Sequence, residues 1–137
     1  MEFALIIIAL IFLVAIGLHI HKVIQRRQAQ RIVDNEYNVA VVLWEFGRSL
    51  RGFLETARRN GNSVIAFNEI TIPHSTGYRL TLELAGYRFR VYGLPDLYNR
   101  TGRLSFLIDD TLTVRASDRN GDLAKEEDEE YVGGKSE

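Results

Sequence analysis

From Phe3 to Leu18 (FALIIIALIFLVAIGL) every position is apolar or glycine, so this stretch has no polar face in any periodicity. As a helix it spans about 24 Å, and Ile20, Val23 and Ile24 carry the apolar character toward the ~30 Å of a bilayer core. A surface helix of a water-soluble domain keeps one stripe apolar, whereas a helix that is apolar all round is surrounded by lipid or protein. A secretory signal core has basic residues before it and a small-x-small cleavage site after it; here acidic Glu2 comes first and Lys22, Arg26, Arg27 and Arg31 come afterwards. Residues 1–24 are therefore expected to form a transmembrane helix. Phe3, Leu5, Ile8, Phe12 and Ile16 are the candidates for lipid contact and for packing against other subunits.

The pattern then acquires a helical period. Val33, Tyr37, Ala40, Leu43, Trp44, Gly47, Leu50, Leu54 and Ala57 recur at steps of three and four. Asp34, Glu36, Asn38, Glu45, Arg48, Arg51 and Glu55 fall between them as a solvated face. No proline interrupts residues 25–60, and Arg58-Arg59-Asn60-Gly61 is a helix stop. One helix is thus expected from about residue 3 to about residue 59, its second part an amphipathic continuation over 25–60. Tyr37, Leu43, Trp44, Leu50 and Leu54 are assigned to packing against a sheet.

Beyond Asn62 the period falls to two. Ser63 to Ile72 reads as a strand or a strand-like approach ended by Pro73. Tyr78 to Leu84 and Tyr87 to Tyr92 alternate around Ala85-Gly86, which predicts an antiparallel hairpin, with Gly93-Leu94-Pro95-Asp96 as a loop. Leu104 to Asp109 and Leu112 to Ala116 flank Asp109-Asp110-Thr111 as a second hairpin. Residues 61–116 make an antiparallel β-sheet head, and 117–137 an acidic loop and frayed tail. The fold class is α+β: a long N-terminal helix, transmembrane then amphipathic, packed on a small antiparallel sheet. Neither element buries its apolar side alone.

Charge and composition narrow the chemistry. A net charge of −1 shows no electrostatic demand for nucleic acid, and the absence of cysteine removes thiolate catalysis, disulfides and Cys-based zinc sites. Lys22, Arg26, Arg27 and Arg31 form a basic collar next to the span, suited to anionic headgroups at about 1 kcal/mol per charge, or simply to fixing the depth of the helix. His19 and His21 are two apart and point about 200° from one another on a helix, so they do not share a metal ion. Counting from Asp118, the residues Asp118, Asn120, Asp122, Glu126 and Glu129 occupy oxygen-ligand positions of a calcium loop, but Leu123 stands where that loop needs glycine. They are the calcium candidates, weighed against a solvated acidic tail; no other cofactor is expected. Ser75 and Ser105 have no nearby histidine with an orienting acid, and no glycine-rich phosphate loop follows a strand. No enzyme activity and no small-molecule substrate are expected.

Three segments add a resemblance. Gly77-Tyr78-Arg79-Leu80-Thr81-Leu82 is similar to the "GYRF-T/E-L" strand of many pilin-like proteins. Thr101-Gly102-Arg103-Leu104-Ser105-Phe106-Leu107-Ile108-Asp109 resembles their "TG-x-RSF-x-VD" segment, and Thr113-Val114-Arg115-Ala116 stands where they tend to have "GVIRA". Behind an N-terminal apolar helix, this order looks like a type IV pilin or a type II secretion pseudopilin. The resemblance implies a structural subunit held in the inner (cytoplasmic) membrane by a single pass, with an extracytoplasmic C-terminal domain, lipid and other pilin-like subunits as partners, and assembly into a filament. Loop residues 94–103 and 117–130 would be subunit contacts. It also implies calcium near the C-terminal end, as some pseudopilins hold it there.

Two features pull the other way. Prepilins carry a short basic leader ending in glycine, and a glutamate five residues into the mature chain; here Glu2 precedes Phe3, and the fifth position from Phe3 is Ile7. Either the start codon is assigned too late, or the chain is an atypical minor subunit, or, as the alternative function, it is a non-polymerising single-pass membrane protein whose small domain binds a partner as an adaptor or sensor. Lysines and arginines also follow the span rather than precede it, which by the positive-inside rule places the C-terminal domain in the cytoplasm, opposite to the topology the resemblance implies.

Overall fold

The computed structural model describes residues 2–61 and 70–133. Its chain order is one helix and four strands: α1 (Glu2–Arg59), β1 (Tyr78–Ala85), β2 (Arg88–Pro95), β3 (Leu104–Asp109) and β4 (Val114–Asp118). The chain divides into two compact units, Met1–Arg31 and Ile32–Glu137.

In the second unit the strands form an antiparallel meander in the order β1-β2-β3-β4. The β1–β2 hairpin pairs Tyr78 with Pro95 through to Ala85 with Arg88, turning at Gly86, which adopts a left-handed φ of 63°. Both hairpins read from the alternation are present. The strand expected over Ser63–Ile72 lies mostly outside the described residues, and residues 70–72 are not in a strand.

Gly93-Leu94-Pro95, read as a loop, is instead the end of β2, with Gly93 paired to Leu80 on one side and to Phe106 on the other. A central-strand glycine is unusual, and packing explains it. A Cβ at Gly93 would lie 3.2 Å from Val39 Cγ2 and 3.3 Å from Leu43 Cδ1. The missing side chain lets the helix approach the sheet. The reverse occurs at Gly47 of α1, where a Cβ would lie 2.8 Å from Ile108 Cδ1. One glycine on each element admits the other's bulk.

The core lies between α1 and the sheet. Val39, Ala40, Leu43, Leu50 and Leu54 of the helix meet Tyr78, Leu82, Phe89, Val91, Phe106, Ile108 and Val114 of the strands. Full burial of each large apolar side chain contributes about 1.5–3 kcal/mol. Two of the assigned packing residues do not take part: Tyr37 and Trp44 are 55% and 44% exposed, respectively. Val39, which the stripe omitted, is fully buried in their place. Helix α1 closes on Arg58 and Arg59 with a left-handed Gly61 (φ 71°), and Asn60 N donates to Thr56 O (3.1 Å).

Residues 119–131 are not a frayed tail. They form a strap across the other side of the sheet, where Ala124 is buried with Tyr92 and Leu107. The strap then runs beside β4: Ala116 N donates to Glu129 O (3.0 Å), and Tyr131 N donates to Val114 O (2.8 Å). The Tyr131 ring packs edge-on against Phe106, with 5.1 Å between centroids. An edge strand that would otherwise expose its hydrogen-bonding groups is thereby covered.

Candidate membrane anchor and assembly surfaces

In the first unit, α1 contains a stretch long and apolar enough to cross a membrane. Ile8, Phe12 and Ile16 are each more than half exposed, and the same holds for the apolar residues around the whole circumference from Ile6 to Ile20. Phe3 and Leu5 lie in α1, but their side chains are outside the described residues. Lys22, Arg26, Arg27 and Arg31 are all exposed on the same helix. His21 and Gln25 are bonded to each other one helical turn apart (2.8 Å).

In the second unit, two segments that are distant in sequence meet around one turn of the helix. Tyr78 reaches over Gly102 and its hydroxyl donates to Leu104 O (2.9 Å). A Cβ at Gly102 would fall 2.0 Å from that hydroxyl, so only glycine fits beneath the ring. Asn35 Nδ2 donates to Thr101 O (2.8 Å), while Glu36 Oε1 accepts from both Arg103 N (2.8 Å) and Leu104 N (3.1 Å). Burial, followed by the charge of Glu36, pushes the Tyr78 phenol well above its ordinary value. Glu36, read as part of a solvated face, is thus a clamp that fixes the start of β3 to the helix. Nothing in the linear sequence signals that role, because its two donors lie nearly seventy positions away.

The strap is organised around Asp128, which is buried. Its carboxylate accepts from the Arg119 guanidinium through both oxygens and from Lys125 N (2.8 Å), and its carbonyl accepts from Arg115 Nη1 (3.1 Å). The bonds from Arg119 hold its carboxyl below the usual carboxylate value. Asp118 is likewise lowered, chiefly by the Tyr98 hydroxyl that donates to it (2.9 Å).

The five calcium candidates are not brought together. Asp118 faces Tyr98, Arg103 and Asn120 N, Glu126 pairs with Arg90, and Glu129 lends its carbonyl to β4. Asn120 and Gly121 both take left-handed conformations that turn the chain between Asp118 and Asp122. Among the described residues, no group of three or more carboxylate or imidazole side chains is gathered to hold a metal ion.

An open cleft of about 460 Å³ lies near the two hairpin turns, lined by Glu83, Arg88, Phe89, Arg90, Asp109, Asp110 and Glu126. Arg88 pairs there with Asp110 and Arg90 with Glu126, while Glu83 accepts from the Tyr92 hydroxyl and Asp109 from the Thr111 hydroxyl. Ser75 and Ser105 have buried hydroxyls without a hydrogen-bond partner among the described residues. Of the loop 94–103 assigned to subunit contact, residues 94–95 end β2 and 96–103 folds on itself, with Arg100 N and Thr101 N both donating to Leu97 O, and leaves Leu97 exposed. Compared with known proteins, the chain matches no protein-family model, no curated protein and no solved structure.

Proposed function

We propose that this chain is a membrane-anchored, pilin-like structural subunit, in which residues 3–18 sit in lipid and pass into the core of an assembly of identical chains. One observation carries the reading. A single helix, α1, supplies both an apolar segment exposed on every side and an amphipathic segment whose buried stripe is covered by a four-strand antiparallel sheet. Surface apolar on all sides is unstable in water and requires lipid or other helices around it. The three segments that resemble pilin-like strands fall on β1, on β3 with its preceding loop, and on β4.

A second reading is favoured by the apolar run itself, which holds no acidic residue between Phe3 and Leu18 to pair with a neighbouring chain. On that reading the helix anchors a monomer whose sheet domain binds a different protein.

Because the chain has no cysteine, one introduced thiol reports on assembly without background. Phe12→Cys, oxidised in native membranes, is expected to give covalent dimers that form only between copies, with the uncross-linked chain recruited into sedimenting filaments. Monomer alone, with no filament, would reject the subunit reading in favour of the anchored adaptor.

A further inference from the structure

The helix of the second unit carries two apolar rows. One is buried under the sheet; the other, formed by Val33, Tyr37, Val41 and Trp44 at steps of four, four and three, is exposed. One turn further on, the row becomes basic: the Arg48 guanidinium lies over the Trp44 ring, 5.5 Å from its centroid, and Arg51 follows. Gly133 comes up beside the edge of the Tyr37 ring, where a Cβ would lie 3.6 Å from Cδ2, while Val33, Val41 and Trp44 stay exposed. Tryptophan, tyrosine and arginine side by side on an exposed face make up the composition that dominates the binding energy of protein interfaces.

The complementary surface lies on the same unit. The strap exposes Glu126, Glu127, Glu129 and Glu130, and the apolar side chains of Leu123 and Val132 on either side of them are about half and more than four-fifths exposed. One surface is apolar with a basic end, and the other is acidic with apolar ends. We propose that the exposed ridge of α1 docks on the acidic strap of a second copy of this chain, head to tail. The occupant is chosen by charge: Arg51 is already paired with Glu55 (3.1 Å), and Glu126 and Glu127 pair with Arg90 and Lys125, so the contact sets Arg48, stacked on Trp44, against Glu129 and Glu130. A contact between two different patches is heterologous, so it propagates from copy to copy and does not stop at a dimer. The inference rests on the reading of the chain as a self-assembling subunit, and it names the surface by which the sheet-bearing units would meet.

Paired cysteines in the full chain, in native membranes, test it. Val41→Cys and Glu127→Cys lie at exposed positions, and neither removes a core contact. The double variant is expected to give an oxidised ladder of dimers, trimers and higher species. A mixture of the two single variants should stop at dimers, and Arg48→Glu should weaken the ladder several-fold. Adding Glu130→Arg to Arg48→Glu should restore part of it. If Phe12→Cys cross-links between copies but the double variant stays monomeric, the docking surface is wrong and the subunit reading stands. If neither cross-links, both fail. Efficient cross-linking of Val41→Cys alone would show ridge against ridge and would overturn the head-to-tail contact.

Discussion

Replacing Asp128 by asparagine keeps the side chain's shape but removes the charge on which the strap is organised. In the folded chain the carboxylate accepts from both Nε and a terminal nitrogen of Arg119 and from Lys125 N. Hydrogen bonds to charged groups contribute about 1.5–3 kcal/mol each, and one partner here, Arg119, is partly solvated, which pulls the total toward the lower end. A net loss of about 2 kcal/mol is expected, equivalent to a fall in Tm on the order of 10 °C for a domain of this size. The loss should be local. Ala116 N and Tyr131 N, which hold the strap to β4, should exchange with deuterium sooner, while amides of the β1–β2 hairpin keep their protection.

The pH dependence has a definite sign. The folded-state pKa of Asp128 is lowered, so its contribution is complete above the unfolded carboxylate value near 3.9 and is lost as pH falls through the lower folded value. Wild type and Asp128→Asn should therefore differ by a constant amount at neutral pH and converge below about pH 4. Circular-dichroism melts in detergent across that range, with Arg119→Gln as the partner variant in a double-mutant cycle, measure the effect. Equal melting and equal exchange at neutral pH would refute the strap account, as would a coupling of zero between the two positions.

Three other outcomes follow from the packing. Gly102→Ala places a methyl group against the Tyr78 hydroxyl and is expected to cost about 2–3 kcal/mol, read from the thermal midpoint; an unchanged midpoint would contradict the close packing there. Glu36→Ala leaves Arg103 N and Leu104 N unpaired and should cost about 1–3 kcal/mol, with faster exchange at those two amides. Leu43→Ala should cost about 3 kcal/mol, whereas Trp44→Ala should cost less than about 1 kcal/mol. As the only tryptophan, Trp44 should fluoresce like a solvated ring in the unassembled chain.

The elements whose signal is local were legible in the sequence. Alternation gave both hairpins, and the helical period gave Ala40, Leu43, Leu50, Leu54 and Ala57 as buried positions. The period did not decide which of two adjacent apolar rows meets the sheet. Tyr37 and Trp44 belong to the outer row and Val39 to the inner one, because the inner row is set by where Gly93 and Gly47 allow close approach. Gly93-Leu94-Pro95 carries the residues of a loop, and only its pairing with β1, joined at Gly93 by pairing with β3, makes it strand. The strap departs from its sequence expectation for a similar reason. Its composition is that of a solvated tail, and what orders it is Arg119 meeting Asp128, with Ala124 seated over Tyr92 and Leu107. The calcium spacing was legible as numbers, but the turn at Asn120-Gly121 and the arginine partners of Asp118 and Glu126 direct those side chains elsewhere.

The anchor on which the proposed function depends is tested most directly by fractionation. The full chain should remain with membranes through an alkaline carbonate wash and leave them only with detergent, and a variant lacking residues 3–18 should be lost in the wash. Full-length chain recovered from the wash as a monodisperse species in detergent-free buffer would contradict a lipid-embedded helix, and with it the structural-subunit account.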